Sequence, residues 1–143
     1  MTSCASNVAR HRLTRYEECG VCFDAPTGTL ALVRGLHVDS CAFSFRGKHI
    51  SVGGEHSGWV APPNLPASAS VEAFQDSGLR IKYRSPDRFF EGVWLPRTSV
   101  YLPLELWVTY DSDELKEVAD LIASTTTRCG PQIGDPTQGK PRE

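Results

Sequence analysis

Between Gly20 and Tyr110 no stretch keeps one hydrophobic period for long, because short apolar or alternating runs are cut off by glycine, proline and polar turn residues. A helix needs ten or more residues of sustained 3.6-residue period, so this texture confines most of the chain to strands and turns. The first runs are Val21-Cys22-Phe23, residues 29–37, residues 41–45 and residues 49–52. Phe43 and Phe45 alternate with Ser44 and Arg46, which sets both rings on one face of a strand, and Arg46-Gly47-Lys48 reads as a tight turn into the next. Farther along, Leu79, Ile81 and Tyr83 alternate with Arg80, Lys82 and Arg84. That alternation predicts a half-buried strand with its basic row on a solvated face.

Ser85-Pro86-Asp87-Arg88 marks a turn, and residues 89–96 follow as another strand or extended segment whose aromatics are expected in the core. Residues 100–110 form the strongest strand, rich in Leu, Val, Trp and Tyr; Pro103 suggests a bulge or edge near its start, and from Leu104 onward it should be central. The one convincing helix opens at Asp111. Asp111 can cap, Glu114 stands three residues on as in a capping box, and Leu115, Val118, Ala119 and Ile122 follow at helical spacing. The helix should fade through Thr125-Thr126-Thr127 and end before Cys129-Gly130-Pro131. The predicted class is α+β, an antiparallel β-sheet with one main C-terminal amphipathic helix.

With 143 residues, 40% of them hydrophobic, the chain suits a single domain with a genuine core. Residues 1–17 are polar and basic and read as a tether, residues 18–129 as the α+β domain, and residues 130–143 as a flexible tail. Fifteen basic and 17 acidic residues, spread along the chain for a net charge of -2, argue against nucleic acid as a partner. No apolar run reaches the ~20 residues that span a bilayer.

Five cysteines divide into one and four. Cys4, after Met1-Thr2-Ser3 and before Ala5-Ser6-Asn7, looks like the stub of a bacterial lipoprotein cleavage site, which implies lipidation at Cys4 and a place in the cell envelope. Cys19, Cys22, Cys41 and Cys129 can then form two disulfides in any of three pairings. Neighbours as close as Cys19 and Cys22 usually bond elsewhere, and one of them is expected to reach Cys41. Zinc is the competing reading, since Cys19-Gly20-Val21-Cys22 has knuckle spacing and His37, Cys41, His49 and His56 follow. A second compact pair is missing, and no metal is expected. Asp111-Ser112-Asp113-Glu114 is explained as a helix start and lacks the spaced ligands and glycine of a calcium loop.

The segment from Gly53-Gly54-Glu55-His56-Ser57-Gly58 through Trp59 to Leu65-Pro66 mixes glycines with three prolines, so a long exposed loop is predicted there. It is the first candidate for partner binding, through Glu55, His56, Ser57 and Trp59. Trp59 is either an aromatic contact or packed beneath the loop. Asp87, Arg88 and Glu91 form a second candidate edge of the same surface. Nucleophile elbow, phosphate-binding and zincin motifs are missing from the chain. Three adjacent residues on one backbone rarely converge on one substrate atom, so Glu55-His56-Ser57 does not predict catalysis, and neither an enzyme nor a cofactor is expected.

The order of parts resembles the Mog1/PsbP-like group of α/β domains over residues 18–127. It runs from a short strand ending in a proline turn, Gly20-Val21-Cys22-Phe23-Asp24-Ala25-Pro26, through antiparallel strands to a strong strand feeding an amphipathic helix, residues 104–124. A small envelope domain with a lipidated cysteine also looks like the immunity lipoproteins that bacteria pair with type VI secretion effectors, including peptidoglycan-cleaving muramidases. That resemblance implies a periplasmic protein that plugs the catalytic groove of a cognate secreted hydrolase. The alternative is an envelope lipoprotein that binds a small ligand or serves assembly, which a cavity lined by Phe43, Phe45 and Trp107 would favour.

Overall fold

A computed structural model describes residues 12–33, 41–75 and 77–129. The architecture is two antiparallel β-sheets and one short helix, in keeping with the α+β expectation. A small sheet has the order β1 (Leu13–Glu18), β2 (Val21–Pro26), β10 (Thr127–Arg128). The large sheet has seven strands, ordered β3 (Ala31–Val33), β4 (Cys41–Gly47), β5 (Ile50–His56), β9 (Leu104–Tyr110), β8 (Arg88–Leu95), β7 (Gly78–Ser85) and β6 (Ser70–Phe74). β9 lies in the middle, as its composition predicted. A 3₁₀ turn, Asp113–Leu115, leads into the helix α1, Lys116–Thr125.

Local chemistry explains the joints. Cys19 and Gly20, the two residues between β1 and β2, have φ of 57° and 76°, the left-handed pair that matches the twist of a two-residue hairpin. The helix start differs from the capping-box expectation: Ser112 is the cap, its Oγ accepting from the Glu114 amide at 3.3 Å. At the other end Thr125 and Thr126 turn their hydroxyls back to the carbonyls of Leu121 and Ile122, each at 2.7 Å, and the chain leaves in an extended conformation. Thr125 Oγ1 also accepts from the Asp24 amide at 2.8 Å, tying the helix end to β2.

Strand pairing puts every second residue of the large sheet on one face. The inner face carries Phe43, Phe45, Val52, Leu104, Leu106, Val108, Val93 and Leu95, all buried, and α1 covers it with Ala119, Ile122 and Ala123. Val21, Phe23 and Ala25 of β2 complete this core. Two disulfides hold the cover in place: Cys19–Cys41 joins the β1–β2 turn to the large sheet, and Cys22–Cys129 fastens β2 to the chain after α1. The expected link to Cys41 is thus formed, by Cys19.

Four expectations change. β1 begins at Leu13, so residues 13–17 belong to a sheet rather than a tether; β2 offers them a full antiparallel register. β5 runs through Gly53 and Gly54 to His56, because β4 and β9 pair with it on both sides, so Glu55 and His56 sit in a strand and the irregular segment starts at Ser57. On β7 the basic row takes the side that faces the helix, although Ile81 is fully buried and Arg84 exposed as the alternation predicts. Arg80 and Lys82 face inward against carboxylates of β8 and α1, whereas Leu79, Ile81 and Tyr83 face outward with Trp94, Gly92 and Phe90. Phe90 and Trp94 accordingly lie outside the core. Cys4, residues 34–37 of the second predicted run and the predicted tail fall outside the described residues.

Candidate functional site

Helix α1 packs on the inner face of the large sheet, and the outer face carries an aromatic and aliphatic row in which Ile81 is fully buried. Phe90 stacks on Tyr83 with ring centres 4.6 Å apart, and Tyr83 meets Trp107 edge-on at 5.9 Å. Trp107 lies flat over Gly92, where any Cβ would collide with the indole ring. Leu79 and Trp94 continue the row partly buried, and Val71 on the edge strand is 46% exposed. A contiguous aromatic and aliphatic strip on a sheet face marks an interaction surface more often than a solvated one.

Glu55 and Glu105 stand directly opposite each other at the end of this strip, beside Trp94 on the next strand. Like charges in opposite register destabilise a sheet. Neither carboxylate has a cation within ion-pair distance among the described residues. Each is instead held by one donor: Ser57 Oγ donates to Glu55 at 2.6 Å, and Trp107 Nε1 donates to Glu105 at 3.3 Å. Below them a shallow groove of about 340 Å³ runs past Gly53 and Trp107 to Ser51 and Thr109. A Cβ at Gly53 would meet nothing closer than the Phe43 carbonyl at 3.8 Å, so the missing side chain leaves an open floor.

Ser57 is the hub of this corner. Its hydroxyl donates to Glu55 and accepts from the Trp59 amide at 3.1 Å, while its own amide donates to the Pro103 carbonyl at 3.3 Å. The backbone of Trp59 is thereby tied to Ser57, and its side chain is 75% exposed. Of the two readings of Trp59, the exposed one holds. Glu55 and the backbone of Trp59 are thus both tied to the hydroxyl of Ser57, which is itself buried. Glu105, Trp107 and Trp94 were missed as site residues; the sequence carries no local sign that β5 and β9 are neighbours.

His56 alternates to the inner face and is 1% exposed, out of reach of a partner. Its Nδ1 donates to the Cys19 carbonyl at 2.8 Å, which fixes the proton on that nitrogen. Burial, aided by the charge of Arg128, pulls the His56 pKa below its ordinary value; the backbone of Cys19 and Leu102 pulls the other way.

Asp87 and Arg88 are exposed on the β7–β8 turn, with Asp87 accepting from Ser85 Oγ at 3.2 Å. Glu91, in contrast, is 2% exposed on the inner face. Arg80 lies 3.6 Å from it, and Tyr110 donates to it at 3.3 Å. Burial, and then the neighbouring Asp120, push the Glu91 pKa up to about 7. Burial also pushes Asp120 up, but Glu91 together with Lys82 and Lys116 outweighs it and holds Asp120 below the usual carboxylate value. Asp87, Arg88 and Glu91 therefore do not form one edge.

An Asp–His pair occurs at the β4–β5 turn, where His49 Nδ1 is 3.0 Å from Asp111 Oδ1. Both are half-exposed at the mouth of a wide cleft of about 800 Å³ whose lining adds Lys48, Ser112 and Glu114. Ser112 Oγ is engaged in capping the helix. The one cluster of potential metal ligands among the described residues joins Glu17 to Cys22 and Cys129, and both sulfurs are already bonded to each other. A cavity lined by Phe43, Phe45 and Trp107, which would favour the small-ligand alternative, does not form: the two phenylalanines pack in the core and the indole lies on the opposite face.

Two disulfides suggest an oxidising, extracytoplasmic environment. No described helix is long and apolar enough to cross a membrane. No protein-family model, curated protein or solved structure matches this chain.

Proposed function

We propose that this protein is a periplasmic immunity protein, lipid-anchored through Cys4, that binds a secreted cell-wall hydrolase and blocks its active-site groove by steric occlusion. The observation that carries the reading is the outer face: an aromatic strip bordered by Glu55 and Glu105, two carboxylates without a cation partner among the described residues. Holding like charges opposite each other costs stability, and a partner that brings arginine or lysine between them recovers it. Trp59 and Trp107 supply the flat, low-entropy aromatic area that anchors interfaces, and a guanidinium can lie on such a ring while meeting a carboxylate. The order of strands and helix keeps the Mog1/PsbP-like reading as the accompanying proposal for the fold.

The test is capture from lysate of the native organism with the full chain as bait, run beside a Glu55→Gln/Glu105→Gln double variant. The expected result is one stoichiometric secreted hydrolase on the wild-type bait, its activity abolished on mixing, and at least tenfold less of it on the variant, since each hydrogen bond to a charged group contributes about 1.5–3 kcal/mol. Equal recovery on both baits would move the interface off this face, and a folded bait that enriches nothing would end the immunity reading.

A further inference from the structure

The inner face, too, carries a feature unrelated to partner occlusion. Beside the first turn of α1 a cavity of about 430 Å³ is lined by Phe89, Tyr110, Glu91, Lys82, Arg84 and Lys116, among others. Phe89 and Tyr110 stack with ring centres 5.0 Å apart, and the Arg84 guanidinium lies 5.1 Å over the Phe89 ring. Around this aromatic floor the charges do not balance. Arg80, Lys82 and Lys116 all lean on one carboxylate, Asp120, at 3.4, 3.3 and 3.6 Å. Arg84 has no carboxylate within ion-pair distance among the described residues. Glu91 is the other acid, buried with its Oε1 lacking a hydrogen-bond partner, and its raised pKa leaves it only partly charged near neutral pH. Asp113 at the helix start, Glu72 opposite Arg80 on β6 and Asp87 beyond the turn make no ion pair with these cations.

Four cations thus share one full and one partial negative charge beside an apolar floor, and a low-dielectric recess concentrates their potential. We infer that this cavity is a second binding site, for a small organic anion with a flat apolar body, of which an aromatic carboxylate is the simplest example. The ring system packs against the edges of Phe89 and Tyr110, whose faces are turned to each other. The anionic group meets Lys116 and Arg84 at the rim, with Lys82 and the Glu91 carboxyl behind. Both rim side chains reach from solvent, Lys116 being 61% exposed. The volume lies within the about 300–1,000 Å³ typical of small-molecule sites.

The test titrates the full chain with 2-naphthoate and with the neutral isostere 2-naphthamide, reading NMR shifts. The expected result is saturable shifts at Phe89, Tyr110 and Lys116, with the acid binding at least about tenfold more tightly than the amide. An Arg84→Gln/Lys116→Gln variant, changed only at the rim, should lose that preference while still unfolding at the wild-type temperature. The Glu55→Gln/Glu105→Gln variant should bind naphthoate unchanged, which separates this site from the proposed partner surface. Absence of saturation, equal affinity for acid and amide, or shifts confined to the outer face would each overturn the inference.

Discussion

On the inner side of β7 and β8, Arg80, Lys82 and Glu91 are folded under the helix; on the outer side of the same two strands, Ile81, Tyr83, Phe90 and Trp94 face away from it. On β7 the basic residues rather than the apolar ones face the helix, while on β8, with Val93 and Leu95 inward, and over β4, β5 and β9, with Phe43, Phe45, Val52, Leu106 and Val108 inward, the distribution is the usual one. The contrast teaches that a half-buried strand need not put its apolar row beneath its own cover. Polar groups can be covered where they pair, as Arg80, Lys82 and Asp120 do, and an apolar row can be buried by its own neighbours on the face away from the helix, as Ile81 is.

The sharpest way to break the comparison is to cut side chains on each face. Leu106→Ala, fully buried on the inner face, should cost about 2–5 kcal/mol in urea unfolding. Leu79→Ala, partly buried on the outer face, should cost no more than about 1 kcal/mol. Equal losses would mean that the outer strip is as much a core as the inner one.

The second test uses pH. Glu91 binds its proton more tightly when folded, with a pKa of about 7 against an ordinary 4.5, so its contribution to stability falls as pH rises through that window, by about 1–3 kcal/mol. His56 binds its proton less tightly when folded, so its contribution is lost as pH falls below the ordinary 6.5. The two slopes oppose each other. Glu91→Gln should remove the first and leave stability rising with pH up to about 6.5, measured as unfolding midpoints at pH 5, 6 and 7.5. Parallel profiles for wild type and variant would show that Glu91 does not titrate in this window.

The smallest expected effect is the most diagnostic for the outer face. Glu55→Gln/Glu105→Gln should raise stability by about 0.2–1 kcal/mol at low salt, with the gain shrinking as salt is added. Those carboxylates oppose each other without a cation among the described residues, so an unchanged or lowered melting temperature would mean that Ser57 and Trp107 already offset their repulsion.

Much of the frame was legible in residues. The Phe43/Phe45 alternation, the central position of the strand from Leu104 and the helix carrying Ala119 and Ile122 were readable because each rests on spacing within one element. Half of the candidate site was readable too, since Glu55, Ser57 and Trp59 are neighbours in sequence. Its other half was not, because Glu105 and Trp107 lie some fifty residues away and meet Glu55 and Gly53 only through the β5–β9 register. Glycine content suggested a loop at residues 53–54. The ladders on both sides made it strand, supplying backbone hydrogen bonds that outweigh the weak strand preference of glycine.

By itself the sequence determined the alternation of short strands, the place of the single described helix and the presence of four cysteines able to pair. Tertiary structure alone decided which of two equally periodic faces would be covered, that Cys22 would reach Cys129, and that His56 and Glu91 would be buried while Trp59 stayed exposed. The reason is geometric. A period of two residues states which side chains share a face but is silent about which face meets the helix, and that choice is made by contacts between residues far apart in the chain.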